Sequence, residues 1–476
     1  MSASAWSMAG YGTSQTIRFV GNLVLTRLMA PEVFGLGSIV LTFLYGLQMF
    51  TDIGSGAAIV QSPRGDDPKF LNTVWTVQCA RGTFLFLSSC AIAVPVARFY
   101  DQPMLAWLIP AAGAGAVFDG FAATSIQSAA RHLQVQWTIF VELTTQVLNI
   151  LTIVAVAVVL RRAFGPSDLR LVWAIIAGTL VSNVSRLILS HAVVPGIRHR
   201  FLIDPDSRRV LFSFGRWVFV STLLMFLATQ SDRLVFAKMI PLDLLGVYGI
   251  AAALGSLPAQ AVQRLASSVL FPAYSRRHGG DDFHRVFWKA RLPVMLSGAT
   301  LVSGLAACGP FLVRVLYDAR YAEAGPILQY LAASAWFQIL EATNGAALLA
   351  VGRVQWMAWG NAARLVGMIA LIPLGFHLGG FRGALLGLVA SDVAKYVVSA
   401  AGAARCGLSG VGMDTLLSFA ALLVAVLAFH VGGLAAVGRF YQLHGFLASG
   451  TMAALIWALV GLWYFLRRRR GGGNLA

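Results

Sequence analysis

Residues 23–39 (LVLTRLMAPEVFGLGSI) return 211 positions later as residues 234–250 (LVFAKMIPLDLLGVYGI). Leu23/Leu234, Val24/Val235, Gly35/Gly246 and Ile39/Ile250 are identical, and Arg27/Lys238 and Glu32/Asp243 match in charge. Each copy reads as the end of an apolar helix, a basic residue, a short turn with an acid, a glycine and a second apolar helix. A weaker echo joins 95–108 (PVARFYDQPMLAWL) to 310–331 (PFLVRVLYDARYAEAGPILQYL). Two such halves in an apolar chain point to a transporter whose cavity lies between repeats.

The setting is a bilayer. Hydrophobic residues make up 58% of the chain and charged ones 12%, about half the charge of a soluble domain. The net charge of +17 does not indicate nucleic acid, because the basic residues cap or interrupt apolar runs instead of forming one solvated patch. Cys79, Cys90, Cys308 and Cys406 form no CxxC, so neither a disulfide framework nor a metal site is expected. Gln15, Arg18 and Asn22 interrupt the first apolar run, which therefore reads as a retained helix and not a cleavable leader.

A helix needs about 20 mostly apolar residues to cross the hydrocarbon. Fourteen stretches qualify: 6–29, 34–60, 71–98, 103–127, 135–160, 171–194 and 213–239, then 243–271, 291–317, 325–350, 354–379, 381–404, 414–437 and 444–466. The expected architecture is all-α and polytopic. Two six-helix lobes related by a pseudo-twofold, 1–195 and 196–408, are followed by two peripheral helices and a basic tail, 409–476. Seventeen Lys and Arg fall in the even-numbered connections and the C-terminal tail, against ten on the other side. The positive-inside rule then puts both termini in the cytoplasm.

An ionisable side chain at bilayer depth costs roughly 2.5–3.5 kcal/mol on insertion scales, yet many occur within these spans. The acids are Asp52, Asp119, Glu142, Asp232, Glu341 and Asp392; the bases include Arg18, Arg81, Arg186, Arg233, Arg264, Arg364 and Lys395. They are expected to face one another or water, and spans 13–14 are expected to carry none. Helical spacing aligns Tyr11, Gln15, Arg18 and Asn22 on span 1, and Tyr45, Gln48 and Asp52 on span 2. It also aligns Glu142, Thr145, Gln146 and Asn149 on span 5, and Gln260, Gln263, Arg264 and Ser267 on span 8. Such stripes are either cavity walls or polar glue between helices. Asp392 and Lys395, one turn apart, can neutralise each other.

Guanidinium groups at membrane depth suit a phosphate, because their planar fork meets its oxygens two at a time and stays charged. The candidate anion contacts are Arg18, Arg264, Arg81, Arg364 and Arg233, with Gln15, Asn22 and Gln260 beside them. The six carboxylates either balance these bases or bind Na⁺ or H⁺ for coupling, and no other cofactor is called for. HExxH, GxSxG and Walker A motifs are absent from the sequence, so no enzyme is expected.

The segments LTRLMAPEVFGLGSIVL, FTDIGSGAAIVQS (50–62), SDRLVFAKMIPLDLLGVYGIAAAL and LPAQAVQRLASSVLFPAYSRR (257–277) resemble the bacterial polysaccharide exporters and O-antigen (Wzx-type) flippases. That group belongs to the multidrug/oligosaccharidyl-lipid/polysaccharide superfamily, and the resemblance covers nearly the whole chain. It implies alternating access in the bacterial inner membrane. The implied substrate is an undecaprenyl-diphosphate-linked oligosaccharide, moved from the cytoplasmic to the periplasmic leaflet for exopolysaccharide, capsule or O-antigen synthesis. A polysaccharide polymerase or export machinery is the implied protein partner, with membrane lipid around the chain. In such families arginines on spans 1 and 8 contact the diphosphate, which matches Arg18 and Arg264. A lipid II flippase or a multidrug/cation antiporter would share this fold. A membrane glycosyltransferase or polymerase would instead need catalytic carboxylates on a substantial outer loop.

Overall fold

The computed structural model describes residues 3–50, 55–276, 283–408, 410–435 and 441–471. All regular structure among them is helical. The chain divides into two compact units, Met1–Gly246 and Val247–Ala476.

The first unit holds α1 (Ala3–Leu28), α2 (Pro31–Phe50), α3 (Ser55–Gln61), α4 (Pro68–Phe99), α5 (Leu105–Phe121), α6 (Ser125–Arg131), α7 (Val135–Phe164), α8 (Val172–Ala192) and α9 (Pro205–Met239). Residues 103–127, expected as one span, bend by 57° between α5 and α6, and Ala122 caps α5 there with an extended ψ of 144°. Small residues set the closest approaches. Gly82 of α4 lies against the Ala116 carbonyl and Gly120 of α5, where a side chain would collide. Gly10 and Gly21 of α1 receive Ile139 and Ile150 of α7 in the same way.

The two ends of this unit are tied by different chemistry. At one end, Asp67 and Asp204 cap α4 and α9, accepting from the Lys69 and Ser207 amides, and each is followed by a proline in the first turn. This arrangement satisfies an orphan amide and starts the helix where no further donor is needed. Arg64 bridges both capping aspartates at 2.8 and 3.3 Å. Arg131 reaches Asp66 at 3.0 Å and the carbonyls of Ile59, Val60 and Ser62. His199 stacks on Trp75 and meets the Thr124 amide. Connections 2, 4 and 6 are thus fastened to one another. At the other end Arg161 donates to the Arg27 carbonyl, and Lys238 to Asp101 and the Phe99 carbonyl. The alternation of ends is what an even/odd membrane topology requires.

The helix α10 (Leu242–Gly255) crosses from the first unit into the second. There follow α11 (Leu257–Leu265), one π-helical turn over Ala266–Leu270, α12 (Phe271–Ser275), α13 (Phe283–Leu316), α14 (Ala324–Ala350), α15 (Gln355–Arg405), α16 (Val411–Ala435) and α17 (Tyr441–Gly471). The 51 residues of α15 are two antiparallel arms, broken at Gly379–Gly380, where Gly380 has φ +59° and ψ −148°. That conformation belongs to glycine. Gly375 and Gly383 press on each other's carbonyls, and Gly387 on that of Leu371, so the arms touch backbone to backbone. The break falls where spans 11 and 12 were separated by sequence.

Among the described residues nine helices are long and apolar enough to cross a membrane, ten with the bent α5–α6 pair, and α15 enters that tally once. The chain is an all-α, multi-span membrane protein, and helices run through the described part of each of the fourteen stretches singled out by hydropathy.

Spans 13–14 correct one expectation. Asp414, in the first turn of α16, is buried, and it pairs with Arg291 of α13 at 2.9 Å with side-chain exposures of 2% and 0%. Thr343 accepts from Arg291 Nε, the Tyr396 hydroxyl donates to Asp414, and Phe287 and Trp288 lie against the guanidinium. Spans 13–14 therefore do carry a buried charge. It anchors α16 to α13, and the Trp457 indole of α17 adds a hydrogen bond to Ser303 of α13. His430 and Thr451 are exposed.

Candidate functional site

Within the first unit a cavity of about 440 Å³ opens between α1, α7 and α8. It is lined by Arg18, Asn22, Glu142, Thr145, Gln146, Asn149 and Ser182, among others. The span 5 stripe read from helical spacing is therefore one wall, and Arg18 and Asn22 of the span 1 stripe form another. Arg18 lies 3.9 Å from Glu142, with side chains 66% and 53% exposed. An exposed pair of that kind contributes only about 0.2–1 kcal/mol. Ser14, which spacing did not single out, is the buried hinge of this wall. Its one hydroxyl hydrogen is shared between Gln146 Oε1 at 2.9 Å and Glu142 at 3.3 Å, and its carbonyl accepts from the Gln146 amide. Its small size allows α1 to sit close on α7. Gln15 lies outside this cavity's lining, half-buried.

Two further cavities lie on the α2 side of α8. One, of about 400 Å³, is lined by Thr42, Tyr45, Gln48, Asn183, Gln230 and Arg233, among others. The buried side-chain oxygens of Thr42 and Gln230 find no hydrogen-bond partner there. The other, of about 110 Å³, shares Gln48, Leu85 and Ala116 with the first and adds Arg81, Asp119 and Arg186. Asp119 pairs with Arg186 at 3.3 Å, and Arg81 donates to the Gln48 carbonyl at 2.8 Å. Asp232 is half-buried on α9, and Asp52 lies outside the described residues.

The second unit arranges its charges differently. Asp392 pairs with Arg364 at 2.6 Å, with side-chain exposures of 1% and 13%, and accepts from Ser334 and from Gln338 at 3.3 Å. Lys395 reaches Glu341 at 3.1 Å. The one-turn pairing of Asp392 with Lys395 is therefore replaced by two pairings between helices. The opposing arm of α15 and the neighbouring α14 offer closer partners than the helix's own next turn. On α11, Gln260, Gln263 and Arg264 are exposed, as is Ser267 in the π turn. The Arg264 carbonyl accepts from both Ser267 and Ser268, and this wide turn shifts the phase of the stripe beyond it.

Among the described residues no group of three or more His, Cys, Asp or Glu side chains is placed to hold a metal ion. The side chains that meet here are guanidiniums, amides, hydroxyls and single carboxylates in open cavities, which can bind and release an anion.

Comparison with known proteins bears on the family and the fold. A family model described as polysaccharide biosynthesis protein matches residues 24–326. Teichuronic acid biosynthesis protein TuaB of Bacillus subtilis (strain 168) is 23% identical over 308 residues, 64% of this chain and 62% of TuaB. Succinoglycan biosynthesis transport protein ExoT of Rhizobium meliloti (strain 1021) is 23% identical over 334 residues, 69% of this chain and 65% of ExoT. The chain thus spans a little under two thirds of the length of these two relatives. Among solved structures, the lipid II flippase MurJ in an inward closed conformation gives a TM-score of 0.74 at 14% identity, covering 96% of this chain and 99% of MurJ. An inward-facing multidrug resistance transporter of the MATE family, in the MOP superfamily, gives 0.64 at 14% identity, covering 85% of this chain and 95% of that one. At such identities the likeness concerns the fold. The family match extends over more than half of the 476 residues, and the chain belongs to the polysaccharide biosynthesis protein family.

Proposed function

We propose that this protein is a flippase for a polyprenyl-diphosphate-linked oligosaccharide, moved from the cytoplasmic to the outer leaflet of a bacterial inner membrane by alternating access coupled to an ion. The observation that carries the reading is the open cavity in which Arg18 stands with Asn22, Gln146 and Asn149. A guanidinium supplies the charge-assisted contacts a diphosphate needs, and neutral amides supply the hydrogen bonds a sugar needs. Membership of the family and the kinship with ExoT and TuaB support the same direction of reading. Arg264, exposed on α11 of the second unit, is assigned a diphosphate contact of its own. Arg81 and Arg233 line the smaller cavities and extend the cationic lining. Both termini are assigned to the cytoplasm on the positive-inside bias of the connections, with 1–195 and 196–408 as the two repeat units.

Complementation of a flippase-deficient strain, with membrane levels measured in parallel, tests the reading. Arg18→Ala and Arg264→Ala should each weaken diphosphate binding roughly ten- to a hundredfold, the loss of about 1.5–3 kcal/mol for one charge-assisted contact. Arg→Lys should fall between, keeping charge without the fork. Normal polymer export by both well-expressed alanine variants would refute the assignment. Rescue of a lipid II flippase defect, but not of a polysaccharide one, would move the substrate to cell-wall precursor. Cysteine labelling at Arg200 and Asp101 tests the orientation, with Arg200 expected on the cytoplasmic side.

A further inference from the structure

Ion pairs between the helices differ in how firmly they close. Arg364–Asp392, Lys395–Glu341 and Arg291–Asp414 close at 2.6, 3.1 and 2.9 Å, with each carboxylate almost out of reach of solvent. Arg186–Asp119, with side chains 43% and 42% exposed, still closes to 3.3 Å beside a cavity of about 110 Å³. Arg18 and Glu142 stand at 3.9 Å, more than half exposed, on the wall of a cavity four times that size. Of these five ion-paired carboxylates, Glu142 is the most exposed and stands furthest from its partner.

We propose that Arg18 and Glu142 form an exchangeable ion pair that couples anion loading to cation loading. A diphosphate entering the cavity takes the Arg18 guanidinium, and the released Glu142 carboxylate takes up one monovalent cation, H⁺ or Na⁺. This inference rests on the reading of Arg18 as a diphosphate contact. The physical reason is charge balance. Once Arg18 turns to the diphosphate, Glu142 keeps the Ser14 hydroxyl but loses its counter-charge beside an incoming anion, and that arrangement favours its neutral or cation-bound form. By linkage the diphosphate must then raise cation affinity by the same factor that the cation raises diphosphate affinity.

The surroundings leave Glu142 to this role. Ser14 Oγ stands 3.3 Å from the carboxylate, and Gln146 Oε1 lies 2.9 Å from that hydroxyl. Arg27 of α1 lies nine residues beyond Arg18, about two and a half turns along the helix, and the charged groups of the other elements packed around α7 are engaged elsewhere. Arg186 of α8 faces Asp119 and His191 the Phe121 carbonyl. Arg131 of α6 and the adjoining His132 face Asp66, and Arg170 in the turn before α8 faces Asp168. On α7 itself, Arg161 and Arg162 lie about five turns further along.

The test uses the purified full-length protein in detergent, with undecaprenyl diphosphate as probe. Titration calorimetry in two buffers of different ionisation heat counts protons taken up per diphosphate bound, with and without Na⁺. Wild type should take up close to one proton per diphosphate when Na⁺ is absent, or bind more tightly as Na⁺ is raised; which of the two occurs identifies the cation. Glu142→Gln should lose that dependence and bind the diphosphate about two- to fivefold more tightly, because no carboxylate competes for Arg18. Arg18→Ala should lose diphosphate binding roughly ten- to a hundredfold while direct titration still detects cation binding at Glu142. Unchanged cation dependence in Glu142→Gln, or none in wild type, overturns the exchange while leaving the flippase reading intact. Failure of wild type to bind undecaprenyl diphosphate overturns both. A Glu142→Gln protein that does not fold shifts the decision to Arg18→Ala, where absence of cation binding would refute the proposal.

Discussion

Gly35 and Gly246, the one glycine pair that the internal repeat preserves in register, each lie against the first residue of the other's helix. A Cβ on Gly35 would run into the Leu242 carbonyl, and a Cβ on Gly246 into the Pro31 carbonyl. Pro31 and Leu242 each begin the helical turn that leads to the partner glycine, so the contact is reciprocal. Such reciprocity is the mark of a local twofold relation between α2 and the start of α10.

Gly35→Ala and Gly246→Ala should therefore destabilise by about 1–3 kcal/mol each, the usual cost of overfilling a tight contact. The clash is with backbone, which cannot swing aside as a side chain can. The measurement is the melting temperature of the detergent-solubilised protein. Gly12→Ala is the control, because its Cβ would meet nothing within contact distance, and it should be neutral or mildly stabilising.

Arg291→Met alone leaves Asp414 as an uncompensated buried charge and should cost about 3–5 kcal/mol. Replacing both partners, Arg291→Met with Asp414→Leu, should recover a large part of that loss, since two charges no longer have to be kept from water. Melting curves of the single and double variants check this. Equal destabilisation by both would show that α16 depends on the charges for more than pairing.

A pH response should centre on His199. Burial, with His191 adding to it, pushes its pKa down to about 4, against about 6.5 for a free histidine. The unfolded chain therefore binds more protons than the folded one between these values. Stability is full above pH 6.5, falls as pH drops, and has lost this contribution near pH 4. Limited proteolysis of the 193–204 connection should accelerate over that window, and His199→Phe, which keeps an aromatic ring on Trp75, should flatten it. Below the window, Asp66, Asp67 and Asp204 add a further loss. Their partners His132, Arg64 and Ser207 hold those carboxyls below the usual range, so protonating them again weakens the fold.

Gly380→Ala should interrupt the turn within α15. A side chain at φ +59° and ψ −148° is strained by about 1–3 kcal/mol, and the Gly375–Gly383 contact depends on that turn. Reduced yield or a lowered melting temperature is expected, whereas Gly379→Ala, with φ −146°, should be tolerated better.

What the amino-acid sequence determined by itself was linear in kind. Apolar length placed the helices, because the hydrocarbon demands about 20 apolar residues from any helix that crosses it. The repeat of 23–39 in 234–250 marks Gly35 and Gly246 as equivalent positions. Periodicity assembled Glu142, Thr145, Gln146 and Asn149 on one face, since the helix imposes 3.6 residues per turn wherever it occurs. Partners were a different matter. Periodicity says which way a side chain points and not what stands opposite, so Asp392 went to Arg364 across a hairpin rather than to Lys395 on its own helix. Arg291 and Asp414 sit near the ends of apolar runs, where a charge ordinarily reaches water, and only the packing of α16 on α13 enclosed them. Ser14 carries no signal in the sequence, because one buried hydroxyl leaves no pattern. The packing of α1 on α7 sets the openness of the Arg18–Glu142 pair, because the distance between two charges on different helices depends on how those helices meet.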